Sequence, residues 1–281
     1  MANELEQFEK KHDYLICVDS DGCAMDTMDV KHFRCFGPCM VAEWGLEAWK
    51  DTILARWNEV NLYTMTRGVN RFKALAICLA EVNEKLCPVE DVDSLTLWVE
   101  TSAELSNGAL KQAIEAAPSI ALEKALKWSI AVNEAITLLP DEDKQPFPMA
   151  KEALAFAHER ADVAIVSSAN LDAVLAEWQE HGLLEHTDIV LSQNAGSKAF
   201  CIGELLQKGY QPDHVLMCGD APGDRDAAQK NGVFYYPILV RNEKASWEEF
   251  IAEGFERLLS GSYAGQYQAK KTEQFLKNLG A

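Results

Sequence analysis

Two aspartates that follow a short apolar run are the residues best suited to chemistry in this sequence. The run Tyr14–Val18 has the unbroken apolar pattern of a strand buried on both faces of a parallel sheet. Asp19 and Asp21 come directly after it, and residues two apart on a strand point the same way. Two neighbouring carboxylates repel unless a cation lies between them or one holds a proton. The pair therefore predicts a hard cation such as Mg2+ or acid–base chemistry, with a plain Asp-rich turn as the structural alternative.

Further polar residues follow or adjoin predicted strands in the second half of the chain. Short apolar runs alternate there with helical patterns, which predicts βαβ units and a parallel sheet. Because the carboxyl ends of parallel strands meet at one edge, we expect these side chains beside the aspartate pair. An aspartate cluster with one lysine suits a metal ion and a phosphoryl group. The residues in question are Ser167, Lys198, Asp220 and Asp224.

The part of the chain between these two sets of residues has a different texture. From about Lys31 to Leu139 the apolar residues recur almost continuously at helical spacing, and the proline-rich, acidic connector Pro140–Pro148 ends this block. We therefore predict an α/β core domain from residues 1–28 and 142–281, with an all-α domain of residues 29–141 inserted into it. The core is expected to be a Rossmann-like parallel sheet with helices on both faces.

Composition narrows the class of protein. A formal net charge of -18 over 281 residues argues against nucleic acid or an anionic membrane as the main partner. No apolar run approaches membrane-spanning length, and the charged start has no signal-peptide core, so we predict a cytoplasmic protein. The eight cysteines are scattered, which predicts reduced thiols; only Cys35 and Cys39 have a ligand-like spacing, without a second pair to complete a zinc site. An oligomer is possible, but no sequence feature indicates one.

Four motifs resemble those of the haloacid dehalogenase superfamily, whose members are mostly Mg2+-dependent phosphatases. They occur in the same order and spacing: VDSDG at 18–22, IVSS at 165–168, Lys198, and GDAPGD at 219–224. The predicted helical block falls between the first and second motifs, where a large subgroup of that superfamily inserts a helical cap. The resemblance implies the α/β core described above and a cap domain over residues 29–141.

The resemblance also implies roles for the aspartates. Asp19 would be the nucleophile that forms an aspartyl-phosphate, and Asp21 the general acid that protonates the leaving alcohol and then activates water. Mg2+ would be held by the Asp19 carboxylate, the Asp21 carbonyl and Asp220, with Asp224 as a ligand or as the partner of a metal-bound water. The structural alternative for Asp224 is a helix cap.

The remaining roles concern the phosphoryl group. Ser167 would donate a hydrogen bond to it, and Lys198 would neutralise its charge and that of Asp19. The backbone amides after Asp19 would complete the cradle. Ser168 is the alternative to Ser167, and an ordinary strand-end hydroxyl or a solvated lysine is the structural alternative for the two positions.

The presence of Asp21 favours hydrolysis of a phosphate ester, because dehalogenases of the superfamily do not need an acid two residues after the nucleophile. We expect a small phosphorylated metabolite as the substrate. A sugar-phosphate mutase of the same fold stays open, as does a catalytically weak relative that binds a metal or phospho-ligand. Candidate specificity residues are Asp26, Arg34, Arg67 and Arg71, although exposed helix charges are the favoured interpretation of the three arginines.

Overall fold

The chain forms two compact units, which are described separately. A computed structural model describes residues 2–281, with side chains from Glu4 onward. One unit contains the residues up to Met28 together with Asp141–Ala281, and the other is Asp29–Pro140. The first unit contains a parallel sheet and the second consists of helices. Within residues 2–281, no helix combines the length and the apolar character needed to cross a membrane.

The first unit begins with a short helix and its central strand. Helix α1 is Ala2–Gln7 and strand β1 is Leu15–Val18. All four residues of β1 are fully buried, which confirms the prediction from their unbroken apolar run. Tyr14, the first residue of that run, lies just outside the strand and stacks on His214 with ring centroids 4.4 Å apart.

The second unit is built from helices around a core of its own. Trp57 and Trp128 meet edge to face in this core, with ring centroids 5.9 Å apart. The helices are α2 (Met28–Lys31), α3 (Gly37–Trp44), α4 (Lys50–Asn58), α5 (Arg71–Lys85), α6 (Val92–Thr101), α7 (Asn107–Ala116) and α8 (Ile120–Thr137). They confirm the predicted helical character of this block, although the sequence did not single out α3 or α7. Pro38 is tolerated in α3 because it lies in the first helical turn.

The first unit resumes with strands and helices in alternation. The sheet has five parallel strands in the order β3-β2-β1-β4-β5, so β1 is central. This arrangement confirms the predicted α/β fold class. The strands are β2 (Asp162–Val166), β3 (Ile189–Leu191), β4 (Val215–Gly219) and β5 (Phe234–Pro237). The helices are α9 (Ala150–His158), α10 (Leu171–Glu180), α11 (Lys198–Leu206) and α12 (Pro222–Asn231).

Three helices complete the first unit after β5. They are α13 (Glu243–Glu249), α14 (Phe255–Leu259) and α15 (Gln266–Asn278). Phe275 of α15 is buried and meets Tyr235 of β5 edge to face at 5.3 Å. The last helix therefore packs on the sheet unit.

The segments that flank the helical unit in sequence are tied together by main-chain hydrogen bonds. Asp26 donates its N–H to the Gln145 carbonyl at 2.8 Å, and Phe147 donates to Ala24 at 2.9 Å. Cys23, Ala24 and Met25 form turns rather than regular structure, yet all three are fully buried. The short antiparallel pairing with residues 145–147 carries them into the core.

Candidate active site

Three buried carboxylates converge at the carboxyl end of the sheet. Val18 pairs with Cys218, so Asp19 and Asp220 follow neighbouring strands, and Asp224 lies in the first turn of α12. Each offers one oxygen, and these oxygens all lie within 4.8 Å of one another. The sequence predicted this convergence from the parallel strand pattern. A buried group of carboxylate oxygens is the donor set that a hard divalent cation prefers.

Lys198 joins two of these carboxylates. Its Nζ lies 2.5 Å from Asp19 Oδ2 and 2.5 Å from Asp224 Oδ1. The lysine is the first residue of α11, and Ser197 caps this helix by accepting a hydrogen bond from Phe200 N. Gly196 has φ 123°, a conformation that favours glycine, so the AGSK sequence is what allows the helix to begin at this point.

The charges of this group perturb one another. Burial raises the pKa of Asp19 to about 6; the Asp224 charge adds to this effect and Lys198 opposes it. Burial and the Asp220 charge also raise the pKa of Asp224, against the effect of Lys198. Burial disfavours the charge on Lys198, but its two carboxylate partners outweigh burial and hold its pKa well above the usual value. Three carboxylates against one ammonium leave a negative site that a cation would stabilise.

Asp224 is held both by its helix and by the shape of β4. Its Oδ2 accepts a hydrogen bond from Ala221 N at 3.0 Å, so it caps α12 as well as binding Lys198. A Cβ at Gly219 would lie 2.3 Å from Asp224 Cγ, far inside van der Waals contact. Glycine is therefore required at this position because the carboxylate packs directly on the backbone of the strand.

Asp21 has a different environment from Asp19. It is partly exposed and is not one of the three clustered carboxylates. The buried Thr27 hydroxyl donates to Asp21 Oδ1 at 2.6 Å. This contact, which the sequence did not reveal, fixes the orientation of the Asp21 carboxyl.

The turn after Asp19 uses most of its own amides. Asp19 Oδ1 accepts from Ser20 N at 2.8 Å, and Gly22 N donates to the Met25 carbonyl at 2.9 Å. Three further amides donate to the Ser20 carbonyl: those of Cys23, Ala24 and Met25. These five amides donate within the turn, and the cradle of backbone amides for a phosphoryl group stays a prediction.

Two tryptophans from distant parts of the chain hold this turn in place. Trp178 of α10 donates its indole N–H to Ser20 Oγ at 2.9 Å. Trp247 of α13 donates to the Cys23 carbonyl at 3.1 Å. Both rings are fully buried, and sequence patterns predict only that they belong to a core. Their hydrogen bonds make them positioning residues for the loop that carries Asp19 and Asp21.

Ser167 lies directly after β2, the other neighbour of β1. It is buried, its Oγ accepts from Ala169 N at 3.2 Å, and its N–H donates to the Leu191 carbonyl. Ser168 is exposed. Of the two serines, Ser167 is thus the one enclosed at the carboxyl end of the strand.

The structure also describes the arginines and cysteines that the sequence analysis considered. Arg34 is exposed, as favoured, whereas Arg67 is only 3% exposed and donates to the Leu62 carbonyl at 2.8 Å, so the exposed-charge interpretation was wrong for Arg67. All eight cysteines are free thiols. Within the described part of the chain, Cys35 and Cys39 belong to no group of three or more metal-ligating side chains.

Comparison of the sequence with known protein families identifies the family of this chain. A sequence profile described as haloacid dehalogenase-like hydrolase matches residues 79–237, more than half of the chain. The match begins after Asp19 and includes Ser167, Lys198, Asp220 and Asp224. No curated protein matches this chain at a significant level.

Two solved structures resemble this chain at low sequence identity. A haloacid dehalogenase-like family protein from Streptococcus pneumoniae is 13% identical, with a TM-score of 0.52, over 84% of this chain and 90% of that one. A predicted phosphoglycolate phosphatase from Haemophilus somnus is 16% identical, with a TM-score of 0.44, over 80% of this chain and 84% of that one. At this level of identity the first likeness is one of fold alone.

Proposed function

This chain belongs to the haloacid dehalogenase-like hydrolases, and we propose that it is a Mg2+-dependent phosphatase acting on a phosphate monoester of a small metabolite. One observation carries the proposal: Lys198 bridges two members of a buried group of three carboxylates at the end of adjacent parallel strands. Such a group holds a divalent cation and leaves one carboxylate beside it as a nucleophile.

The residues present fit a hard divalent metal ion. Asp19, Asp220 and Asp224 are buried, and their oxygens are close enough to share one cation, with the Asp21 carbonyl proposed as a further ligand. Burial makes the uncompensated negative charge costly, which favours the cation. The chemistry that bound Mg2+ supplies is neutralisation of charge on the phosphoryl oxygens.

Asp19 is the proposed nucleophile. It follows the fully buried central strand and its two oxygens are held by Ser20 N and Lys198, so the carboxylate is fixed before substrate arrives. Its attack on phosphorus forms an aspartyl-phosphate and breaks the bond from phosphorus to the alcohol oxygen. Ser167 and Lys198 are proposed to bind the phosphoryl oxygens, the first as a donor and the second as a charge.

Asp21 is the proposed general acid and base. Its carboxyl, oriented by Thr27, gives a proton to the leaving alcohol and then takes one from the water that hydrolyses the aspartyl-phosphate. The differing environments of Asp19 and Asp21 support this division of roles, because only Asp19 lies in the charged group. We further propose residues 1–28 and 142–281 as the catalytic core domain and residues 29–141 as its cap.

The test is turnover of p-nitrophenyl phosphate by the full chain. We expect Mg2+-dependent hydrolysis that EDTA abolishes and that Asp19→Asn lowers by about a thousandfold or more, since the amide is not nucleophilic. Asp226→Asn is the matched control, because Asp226 lies on the same helix as Asp224 but its side chain is 54% exposed. Equal activity of Asp19→Asn and the wild type would refute the mechanism.

A further inference from the structure

Arg71 of the helical unit is a cation without a carboxylate partner. It is the first residue of α5, and its Nη1 donates to Asn133 Oδ1 at 2.8 Å and to Ser129 Oγ at 3.1 Å, with a longer contact of 3.4 Å to the Ser129 carbonyl. These acceptors are neutral. Among the residues whose side chains the structure describes, no carboxylate pairs with this guanidinium, and its Nε and Nη2 groups donate to no acceptor.

Arg56 of the same unit shows the contrast. Its Nε and Nη2 donate to the two oxygens of Glu81 at 2.9 and 2.8 Å, and its Nη1 donates to Glu59 at 2.8 Å. In Arg56 the planar fork of donors is saturated by carboxylates. In Arg71 the equivalent fork of Nε and Nη2 is the part left without protein acceptors.

The surroundings of Arg71 make the lack of a carboxylate partner unfavourable in free energy. Positive charge in the first turn of a helix opposes the helix dipole. One face of the guanidinium lies against Phe36, 5.0 Å from the ring centroid. Burial lowers the pKa of Arg71 to about 10. An anion beside the free fork would offset both the dipole and the loss of hydration.

The fork is also held in a fixed orientation. Ser129, which receives Nη1, donates its own hydroxyl to Asn107 Oδ1 at 2.7 Å. Asn107 is the first residue of α7, and Asn70, which caps α5, donates to the Leu105 carbonyl at 3.0 Å. The amino ends of α5 and α7 therefore lie together at Arg71, and both contribute positive potential that favours a negative ligand.

We propose that Arg71 is the centre of an anion-binding site in the helical unit, which takes a carboxylate or phosphate group through a two-point contact with Nε and Nη2. This site is formed by residues of the helical unit alone and does not depend on the proposed phosphatase function.

Binding of inorganic phosphate to the full chain in EDTA tests the site by titration calorimetry. Without metal, the catalytic group carries three carboxylates against Lys198 and disfavours phosphate. Arg71→Gln should weaken binding by about tenfold or more, and Arg71→Lys by less, because the charge stays but the fork is lost. Arg56→Gln is the matched control and should bind as the wild type does. Equal phosphate affinity in Arg71→Gln and the wild type would overturn the proposal.

A measurement on the wild-type chain removes any dependence on how the variants fold. Phenylglyoxal modifies arginine side chains, and mass spectrometry reports the rate at each position. Phosphate in the metal-free protein should slow modification at Arg71 by several-fold and leave the rate at Arg56 unchanged. An unchanged rate at Arg71 with saturating phosphate overturns the site.

Discussion

Lys198 offsets part of the negative charge of the buried carboxylate group. Its ammonium contacts Asp19 and Asp224, and Asp220 completes the group. Asp21 is not a member of this group, and its Oδ1 accepts a hydrogen bond from the Thr27 hydroxyl. The sequence presents Asp19 and Asp21 as equivalent, but their side chains have different partners. This difference is the physical basis for proposing different chemical roles for them.

At the same scale, Gly219 is predicted to be essential for activity. A methyl group there would lie 2.3 Å from Asp224 Cγ, so Gly219→Ala must displace the carboxylate from Lys198. We expect activity to fall by about a hundredfold or more, with a loss of about 1–3 kcal/mol in the free energy of unfolding. Activity on p-nitrophenyl phosphate and urea unfolding measure the two effects.

The control for this substitution comes from the same motif. A Cβ at Gly223 meets no atom within 4 Å, so Gly223→Ala makes the same chemical change without the contact. Its activity should stay near that of the wild type. Similar losses in both variants would contradict the steric explanation.

At the scale of elements, the turn that carries Asp19 and Asp21 is held by helices far from it in sequence. Helices α10 and α13 each direct one indole N–H to the turn that links Asp19 to the buried segment Cys23–Met25. The turn itself is compact because Gly22 adopts φ 81° and the Ser20 carbonyl accepts several amides. The strand places Asp19, and the helices fix the loop beyond it.

Trp178→Phe tests this dependence. The variant keeps an aromatic ring in the core but removes the hydrogen bond to Ser20 Oγ, so we expect a loss of about 1 kcal/mol from the bond and a further loss from the smaller ring. The rate constant kcat should fall several-fold because the loop of Asp19 loosens. Trp98→Phe is the control: its indole donates to no acceptor among residues 4–281, and it should reduce stability without a comparable fall in kcat. Equal effects on kcat would argue against positioning by Trp178.

At the scale of the whole molecule, each unit has its own apolar core. Buried residues of the sheet unit, which include Ile16 and Val18 of the central strand, form one core, and residues of the helical unit alone form the other. The three clustered carboxylates belong to the first unit, whereas Arg71 belongs to the second. Effects of pH and metal on stability are therefore expected from the sheet unit.

The stability of the protein should respond to Mg2+ in a pH-dependent way. The raised pKa of Asp19, about 6, lies above the value of about 3.9 for an unfolded aspartate, so the metal-free folded state binds protons more readily. The stability of the metal-free protein consequently falls as pH rises from about 3.9 to about 6. Metal binding, in contrast, needs the ionised form of Asp19. We expect Mg2+ to raise the melting temperature more at about pH 7.5 than at about pH 5, where protons compete.

Differential scanning calorimetry with and without Mg2+ at the two pH values makes this measurement. Asp220→Asn should remove most of the Mg2+ effect at both, because it deletes one of the three clustered carboxylates. An Mg2+ shift of the same size at both pH values would show that proton competition at Asp19 does not govern binding.

Much of the fold and part of the site followed from sequence patterns. The central strand is an unbroken apolar run, and β2 and β4 are apolar apart from Asp162 and Gly219, a pattern typical of strands buried on both faces. Parallel topology then predicted that Asp19 and Asp220 come together, because strand ends share one edge. Helix α3 was not assigned, since its opening Gly-Pro resembles a turn as much as a first helical turn.

The sequence by itself determined the alternating strands and helices and the order of the acidic motifs, because local periodicity and turn residues report backbone structure directly. Only the tertiary structure decided which groups meet. Trp178 reaches Ser20 across 158 positions of sequence, and the need for glycine at 219 appears only once Asp224 packs against it. The sequence likewise indicated only an exposed helix charge at Arg71, and the structure shows that its guanidinium donates to the neutral side chains of Ser129 and Asn133. Such contacts depend on how elements pack, and the periodicity within one element carries no information about the partner that packing brings to it.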